Sequence, residues 1–140
     1  HAKGTFLCCQ AALARMVPRG KGAIVTMSSD FAVMAVPDGA AYCAAKSAIY
    51  SMTKSLALEF AGNGIRVNAL GPGPIDTPIL RSGRSEAEYQ AARVSIAERL
   101  PLGRLGQPEE GAACADFLLS ERASYINGQI IHPNGGQQTW

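Results

Sequence analysis

Tyr42 and Lys46 stand four positions apart in an Ala-rich run, and Ser29 lies thirteen residues before the tyrosine. If that run is helical, positions i and i+4 share a face, and phenol and ammonium lie one turn apart. A phenol ordinarily keeps its proton to a pKa of about 10, and an adjacent ammonium favours the phenolate. That equips such a tyrosine to exchange a proton near neutral pH. A serine hydroxyl beside it would hydrogen-bond a reacting carbonyl or alcohol oxygen and hold it in line. Together the three side chains are equipment for protonating an oxygen while a hydride arrives from elsewhere. On an arbitrary helix a Tyr and a Lys at this spacing are more often a solvated pair, and a Ser after a strand more often a turn cap. The chemical reading therefore depends on the elements around them.

Thr5 to Met16 puts Phe6, Leu7, Cys9, Ala12, Leu13 and Met16 at helical spacing, and Val17-Pro18-Arg19-Gly20 ends the pattern. Ala23 to Met27 is short, apolar and partly β-branched, the pattern of a buried strand in a parallel sheet, and it runs into Ser28-Ser29. A loop, Asp30 to Gly39, precedes a long helix over Ala40 to Ala61, with Ile49, Met52, Leu56 and Phe60 on one stripe and Gly62-Asn63-Gly64 as its stop. Ile65 to Leu70 is the next strand, closed by Gly71-Pro72-Gly73-Pro74. Ile75 to Leu102 reads as a surface excursion with short helical stretches, such as Ser85 to Leu100, and has the character of a lid. Gln107-Pro108-Glu109-Glu110 opens a helix ending near Ser120, with Pro at its first position and carboxylates at the positive end of its dipole. A last strand, Gln129 to Ile131, leads into Pro133-Asn134-Gly135-Gly136. Alternating helices and strands predict an α/β fold with parallel strands, in which ligands gather outside the carboxyl ends of the strands. Ser28-Ser29 and Gly71-Pro72-Gly73 both fall there.

The composition suits one soluble domain spanning residues 1–140: 47% hydrophobic and 17% charged, with 15 Gly and 8 Pro, is neither disordered, collagenous nor coiled-coil. A chain of this mass would expose roughly 7,000 Å² when folded. The net charge of +2, from scattered Lys and Arg, argues against a nucleic-acid or membrane-surface partner. No apolar stretch reaches the ~20 residues of a membrane span, and no signal-peptide pattern opens the sequence, so a cytoplasmic location is expected. Cys8, Cys9, Cys43 and Cys114 show no C-x-x-C and no His at ligand spacing, which predicts reduced packing residues and no metal site. His132 reads as structural and Trp140 as a tail residue. Ser51-Met52-Thr53-Lys54 matches an S-x-x-K pattern but falls inside the long helix, which argues against a nucleophile.

Several ordered segments resemble the C-terminal half of the short-chain dehydrogenase/reductase family. They are Ile24 to Ser29, the Y-x-x-x-K of Tyr42 to Lys46 with its serine spacing, Val67 to Thr77, Gly103 to Glu110, and Ile126 to Gln129 with Gly135-Gly136. The resemblance implies the C-terminal part of a Rossmann-like doubly wound parallel sheet, about three parallel strands with flanking helices. It also implies an NAD- or NADP-dependent oxidoreductase that interconverts an alcohol and a ketone on a small-molecule substrate. Ser29 would then polarise the substrate oxygen and Tyr42 act as acid/base. Lys46 would favour the phenolate and hydrogen-bond the nicotinamide ribose. Pro72 and Gly73 would pass beneath the nicotinamide, with the Ile75 backbone and Thr77 on its carboxamide. Residues Pro78 to Leu102 would cover the substrate, and Val94, Ile96 and Leu100 would line an apolar pocket.

The departures from the family pattern are specific. His1 stands where the family has a fourth catalytic residue, an Asn. Gly111 replaces a branched apolar residue, and Asn134 replaces an Asp before Gly135-Gly136. No glycine-rich, pyrophosphate-cradling turn is present in the sequence. These features, with an opening at His1 inside a helical segment, predict a truncated catalytic half whose dinucleotide binding is weak or lost. Exposed helix faces on Thr5 to Met16 and Ala40 to Ala61, and an uncovered strand edge at Ala23 to Met27, predict a homodimer or homotetramer. Two rival readings follow for such a chain: a cofactor-independent, esterase-like hydrolase using Ser29, Tyr42 and Lys46, or a non-catalytic oligomeric remnant.

Overall fold

In a computed structural model that describes residues 1–139, helices and strands alternate in the expected order; the expectation for Trp140 lies outside the described residues. The elements are α1 (Ala2–Met16), β1 (Gly22–Met27), α2 (Ala40–Phe60), β2 (Ile65–Leu70), α3 (Pro78–Arg81), α4 (Glu86–Ala97), α5 (Pro108–Leu119) and β3 (Ile130–Ile131). The strands form one parallel sheet in the order β1-β2-β3, with Gly22 opposite Ile65 and Met27 opposite Leu70. Among the described residues, the outer edge of β1 has no strand beside it. No helix there is long and apolar enough to cross a membrane.

Burial explains the layering. Every residue of β2 except Arg66 is buried, as a central strand requires. One face packs Ile65 and Val67 against Cys9 and Leu13 of α1 and Leu56 and Ala57 of α2. The other packs Leu70 against Leu118 of α5 and Ala123. Arg66 is spent on structure: its guanidinium donates to the carbonyls of Leu118 (2.9 Å) and Ser120 (3.0 Å), closing the carboxyl end of α5. Buried Asn68 and half-buried Asn127 replace ladder bonds where β3 is too short to supply them. Asn68 donates to the Ile126 carbonyl and accepts from the Gln129 amide, both at 2.9 Å, and Asn127 bridges the Val67 amide and the Ala57 carbonyl.

Across the sheet face, the hydroxyls of Thr26 on β1 and Thr53 on α2 lie 2.6 Å apart, fully buried, and Thr53 also donates to the Ile49 carbonyl at 2.9 Å. The Thr26 hydroxyl also lies 3.4 Å from the Asn68 carbonyl, so the pair joins β1, β2 and α2 at one buried point.

The excursion between β2 and α5 is held down by Asp76. Its carboxylate accepts from the buried Tyr89 hydroxyl at 2.6 Å and pairs with Arg93 at 3.0 Å, while the Arg81 guanidinium stacks on the Tyr89 ring at 4.3 Å. Ser85 and Glu88 close a capping box on α4, and Gln107 and Glu110 another on α5.

Candidate functional site at the carboxyl ends of the strands

Ser28 and Ser29 follow β1 directly, and both are buried. The Ser29 side chain caps a short 3₁₀ turn, Asp30–Ala32, accepting from the Phe31 amide at 3.2 Å. It therefore serves as a turn cap, with its own hydroxyl proton still available to donate. Ser28 donates to the Lys46 carbonyl at 3.1 Å and fixes α2 against the strand end.

Lys46 is 6% exposed, and its ammonium donates to the Met27 carbonyl at 2.9 Å. Burial lowers the pKa of this amine from its ordinary value. The same nitrogen lies 5.7 Å from the centre of the Tyr42 ring. Tyr42 is 41% exposed, and its ring meets those of Phe31 (6.3 Å) and His1 (6.0 Å) edge to face. The fold thus brings Ser29, Tyr42 and Lys46 to one corner, with Phe31 linking the serine turn to the tyrosine. His1 sits against the same ring.

Pro72 and Gly73 run beside this corner. The Asp30 amide donates to the Pro72 carbonyl at 3.2 Å. A Cβ at Gly73 would come within 2.7 Å of the Asn134 Cβ, so the turn passes close to the Pro133-Asn134 segment. Asn134 accepts from the Gly136 amide and donates to the Gln138 carbonyl, a donation that an ionised Asp at this position could not make. Ile75 forms an isolated parallel bridge with Gly106, using the flanking Asp76 amide and Pro74 carbonyl. In that pairing the N–H and C=O of Ile75 itself point away from Gly106. Thr77 is half-buried next to them.

The remaining expectations are placed less compactly. Val94 is 58% exposed, Ile96 is half-buried, and Leu100 is buried near the Gly135 turn. Open clefts of about 790, 480 and 460 Å³ lie elsewhere, and none is lined by Ser29, Tyr42 or Lys46. Ser51 and Lys54 are exposed, with the Lys54 ammonium over the Tyr50 ring at 4.2 Å. Cys9 is a core residue whose thiol pKa is raised by burial and by neighbouring Cys8, while Cys8 is exposed.

Two further residues of this corner carry no functional role in the sequence reading, Asp30 as the start of a loop and His132 as a structural residue. Asp30 is 1% exposed, and its Oδ1 lies 2.7 Å from His132 Nδ1, which is also 3.0 Å from the Gly71 carbonyl. The available signal was an acid placed directly after Ser29, together with a lone histidine following the last strand.

A family model described as enoyl-(acyl carrier protein) reductase matches residues 1–138. The chain is 40% identical over 142 residues to a Xanthobacter autotrophicus protein named inactive 2-(S)-hydroxypropyl-CoM dehydrogenase 2, covering 97% of the chain and 60% of that protein. It is 39% identical over 137 residues to a short-chain type dehydrogenase/reductase of Picea abies, covering 98% and 49% respectively. Among solved structures, a gluconate 5-dehydrogenase from Burkholderia cenocepacia in complex with NADP and tartrate superimposes with a TM-score of 0.86 at 34% identity, over 96% of this chain and 51% of that one. The chain therefore spans about half the length of the relatives it matches.

Proposed function

The chain belongs to the short-chain dehydrogenase/reductase family, with a Rossmann-like parallel sheet, and from this we propose that it carries the catalytic apparatus of an NAD(P)-dependent interconversion of an alcohol and a ketone. The observation that carries this reading is the ammonium of Lys46, buried under the Tyr42 ring and anchored on the strand that presents Ser29. An ammonium has three protons; one goes to Met27, leaving two for oxygens of a ligand.

The donor set suits the nicotinamide end of a dinucleotide. The amide and carbonyl of Ile75, turned away from the Gly106 bridge, would hold the carboxamide together with the Thr77 hydroxyl. Pro72 and Gly73 would underlie the ring, and Lys46 would hold the ribose. When bound, the nicotinamide supplies or accepts the hydride. Ser29 holds the substrate oxygen by donating its hydroxyl proton, and Tyr42 gives or takes the proton on that oxygen. The positive charge of Lys46 favours the phenolate that results.

We also propose a homo-oligomer. Phe6 and Leu7 on α1 are 49% and 48% exposed, beside an apolar groove of about 480 Å³ lined by Leu13, Val17, Leu56 and Phe60. The accessible surface of 8312 Å² exceeds the roughly 7,000 Å² of a compact monomer of this mass. A second copy of this chain is the occupant we assign to that face. Sedimentation showing a monomer at micromolar concentration would overturn the assignment.

The reaction is tested by Tyr42→Phe, which removes one hydroxyl and keeps the ring. Reduction of a panel of small ketones with NADH or NADPH should fall by about 10²–10⁴-fold. Wild-type turnover in the variant would sink the role of Tyr42.

A further inference from the structure

We infer that Asp30 and His132 are positioning residues for this reaction: a side-chain bolt across the carboxyl ends of all three strands that holds the Ser29 turn against the Pro72-Gly73 turn. The inference rests on the roles proposed above for Ser29 and for that turn.

Asp30 follows β1, Gly71 follows β2 and His132 follows β3, and the imidazole touches both of the others. Its Nδ1 is 2.7 Å from Asp30 Oδ1 and 3.0 Å from the Gly71 carbonyl oxygen. A Cβ at Gly71 would lie 2.5 Å from the ring, so the imidazole occupies the space a side chain at Gly71 would need. Backbone bonds complete the bolt. The Asp30 amide donates to the Pro72 carbonyl at 3.2 Å, the Gly71 amide to the Ile131 carbonyl at 2.8 Å, and the Gly73 amide to the Pro133 carbonyl at 3.3 Å.

The geometry fixes the proton. A carboxylate oxygen and a carbonyl oxygen both accept, so Nδ1 between them carries the hydrogen and donates to both. The arrangement is also one that folding alone does not favour. Asp30 is 1% exposed, and its Oδ2 has no hydrogen-bond partner among the described residues. Burying a half-satisfied carboxylate is costly, and apolar packing would fill the same space without that cost. Such a group is understandable where it aligns neighbouring residues: Ser29 precedes Asp30 directly, and Pro72 accepts from its amide.

The experiment joins NMR to kinetics. Long-range ¹H–¹⁵N spectra of the wild-type protein should show the proton on Nδ1 of His132. In His132→Leu, hydrogen exchange at the Asp30 amide should accelerate by about tenfold or more, while the Val67 and Ala69 amides within β2 stay slow. The turnover number for carbonyl reduction should drop by about 10²-fold. His132→Asn, whose amide nitrogen reaches the place of Nδ1, should restore both readouts to near wild type. Should His132→Leu fail to fold, His132→Gln replaces it, because its amide reaches the place of Nε2 instead; fast Asp30 exchange there supports the bolt. An Nδ1 without its proton, or equal Asp30 exchange in the Asn variant and in the Leu or Gln variant, overturns the inference. A wild-type protein that reduces no ketone but shows the stated proton and exchange pattern sinks the proposed reaction and leaves the bolt supported.

Discussion

Lys46 donates to the carbonyl oxygen of Met27 across 2.9 Å, so the cation beside Tyr42 is tethered to the last residue of the strand that delivers Ser29. The tether keeps the ammonium in place inside the fold, where its charged form is penalised. The placing of a cation beside Tyr42 and the stability of the fold pull in opposite directions at this residue.

Lys46→Met tests that opposition. Carbonyl reduction should fall by about 10²-fold or more, while the thermal midpoint at neutral pH stays level or rises. Since the folded amine has a lowered pKa, its favourable contribution is present above the ordinary value of 10.5 and lost as pH falls through the folded value. The wild type should therefore gain stability on alkaline titration towards 10.5, and the variant should lack that slope. A variant unfolded at neutral pH would show that the ammonium is a net structural support.

An acidic counterpart sits at the start of α5. Glu110 makes a two-pronged bond to Arg104 (2.7 and 2.8 Å) and accepts from the Gln107 amide, which lowers its pKa from 4.5 to about 2. The stabilisation is complete above 4.5 and lost as pH falls through about 2. In Glu110→Gln, denaturant midpoints between those pH values should be flatter than in the wild type and converge with it at the acid end.

Tyr89→Phe should loosen the segment between β2 and α5. It removes the 2.6 Å bond to Asp76 but keeps the ring under Arg81. A loss of about 1 kcal/mol is expected, with faster tryptic cleavage at Arg81 and Arg84. Unchanged cleavage kinetics would show that Arg93 alone holds Asp76 and the segment.

Gly111→Ala should stabilise the protein by up to about 1 kcal/mol, since nothing lies within 4 Å of a Cβ built there and the residue is inside α5. A scanning calorimeter should register a rise of a few degrees.

Local signals carried most of the fold. Ile65 to Leu70 is a strand to the residue, and α2 ends one residue before its expected limit, because glycine stops and β-branched runs are short-range information. The first helix begins earlier than expected, at Ala2, and Ser85 to Leu100 resolves into α4 over Glu86–Ala97, bounded by its capping box. In the candidate site, the placing of Tyr42 and Lys46 one turn apart on α2 and of Ser29 just after β1 was legible from spacing, whereas the presentation of Val94, Ile96 and Leu100 depends on how the segment between β2 and α5 packs. Asp30 and His132 stayed illegible as a pair because 102 residues separate them, and only the parallel order of the strands brings them together.

The buried hydroxyl pair of Thr26 and Thr53 works as an index mark on a dial. Thr53 lies about three helical turns beyond Tyr42 and about two beyond Lys46, so locking its azimuth on β1 also locks theirs. Inserting a single alanine between Lys46 and Thr53 would turn the amino-terminal part of α2 by about 100° relative to that mark. The phenol and the ammonium would swing away from Ser29 although every side chain in the triad remained. The motif would be unchanged, and its phase against the sheet would be lost.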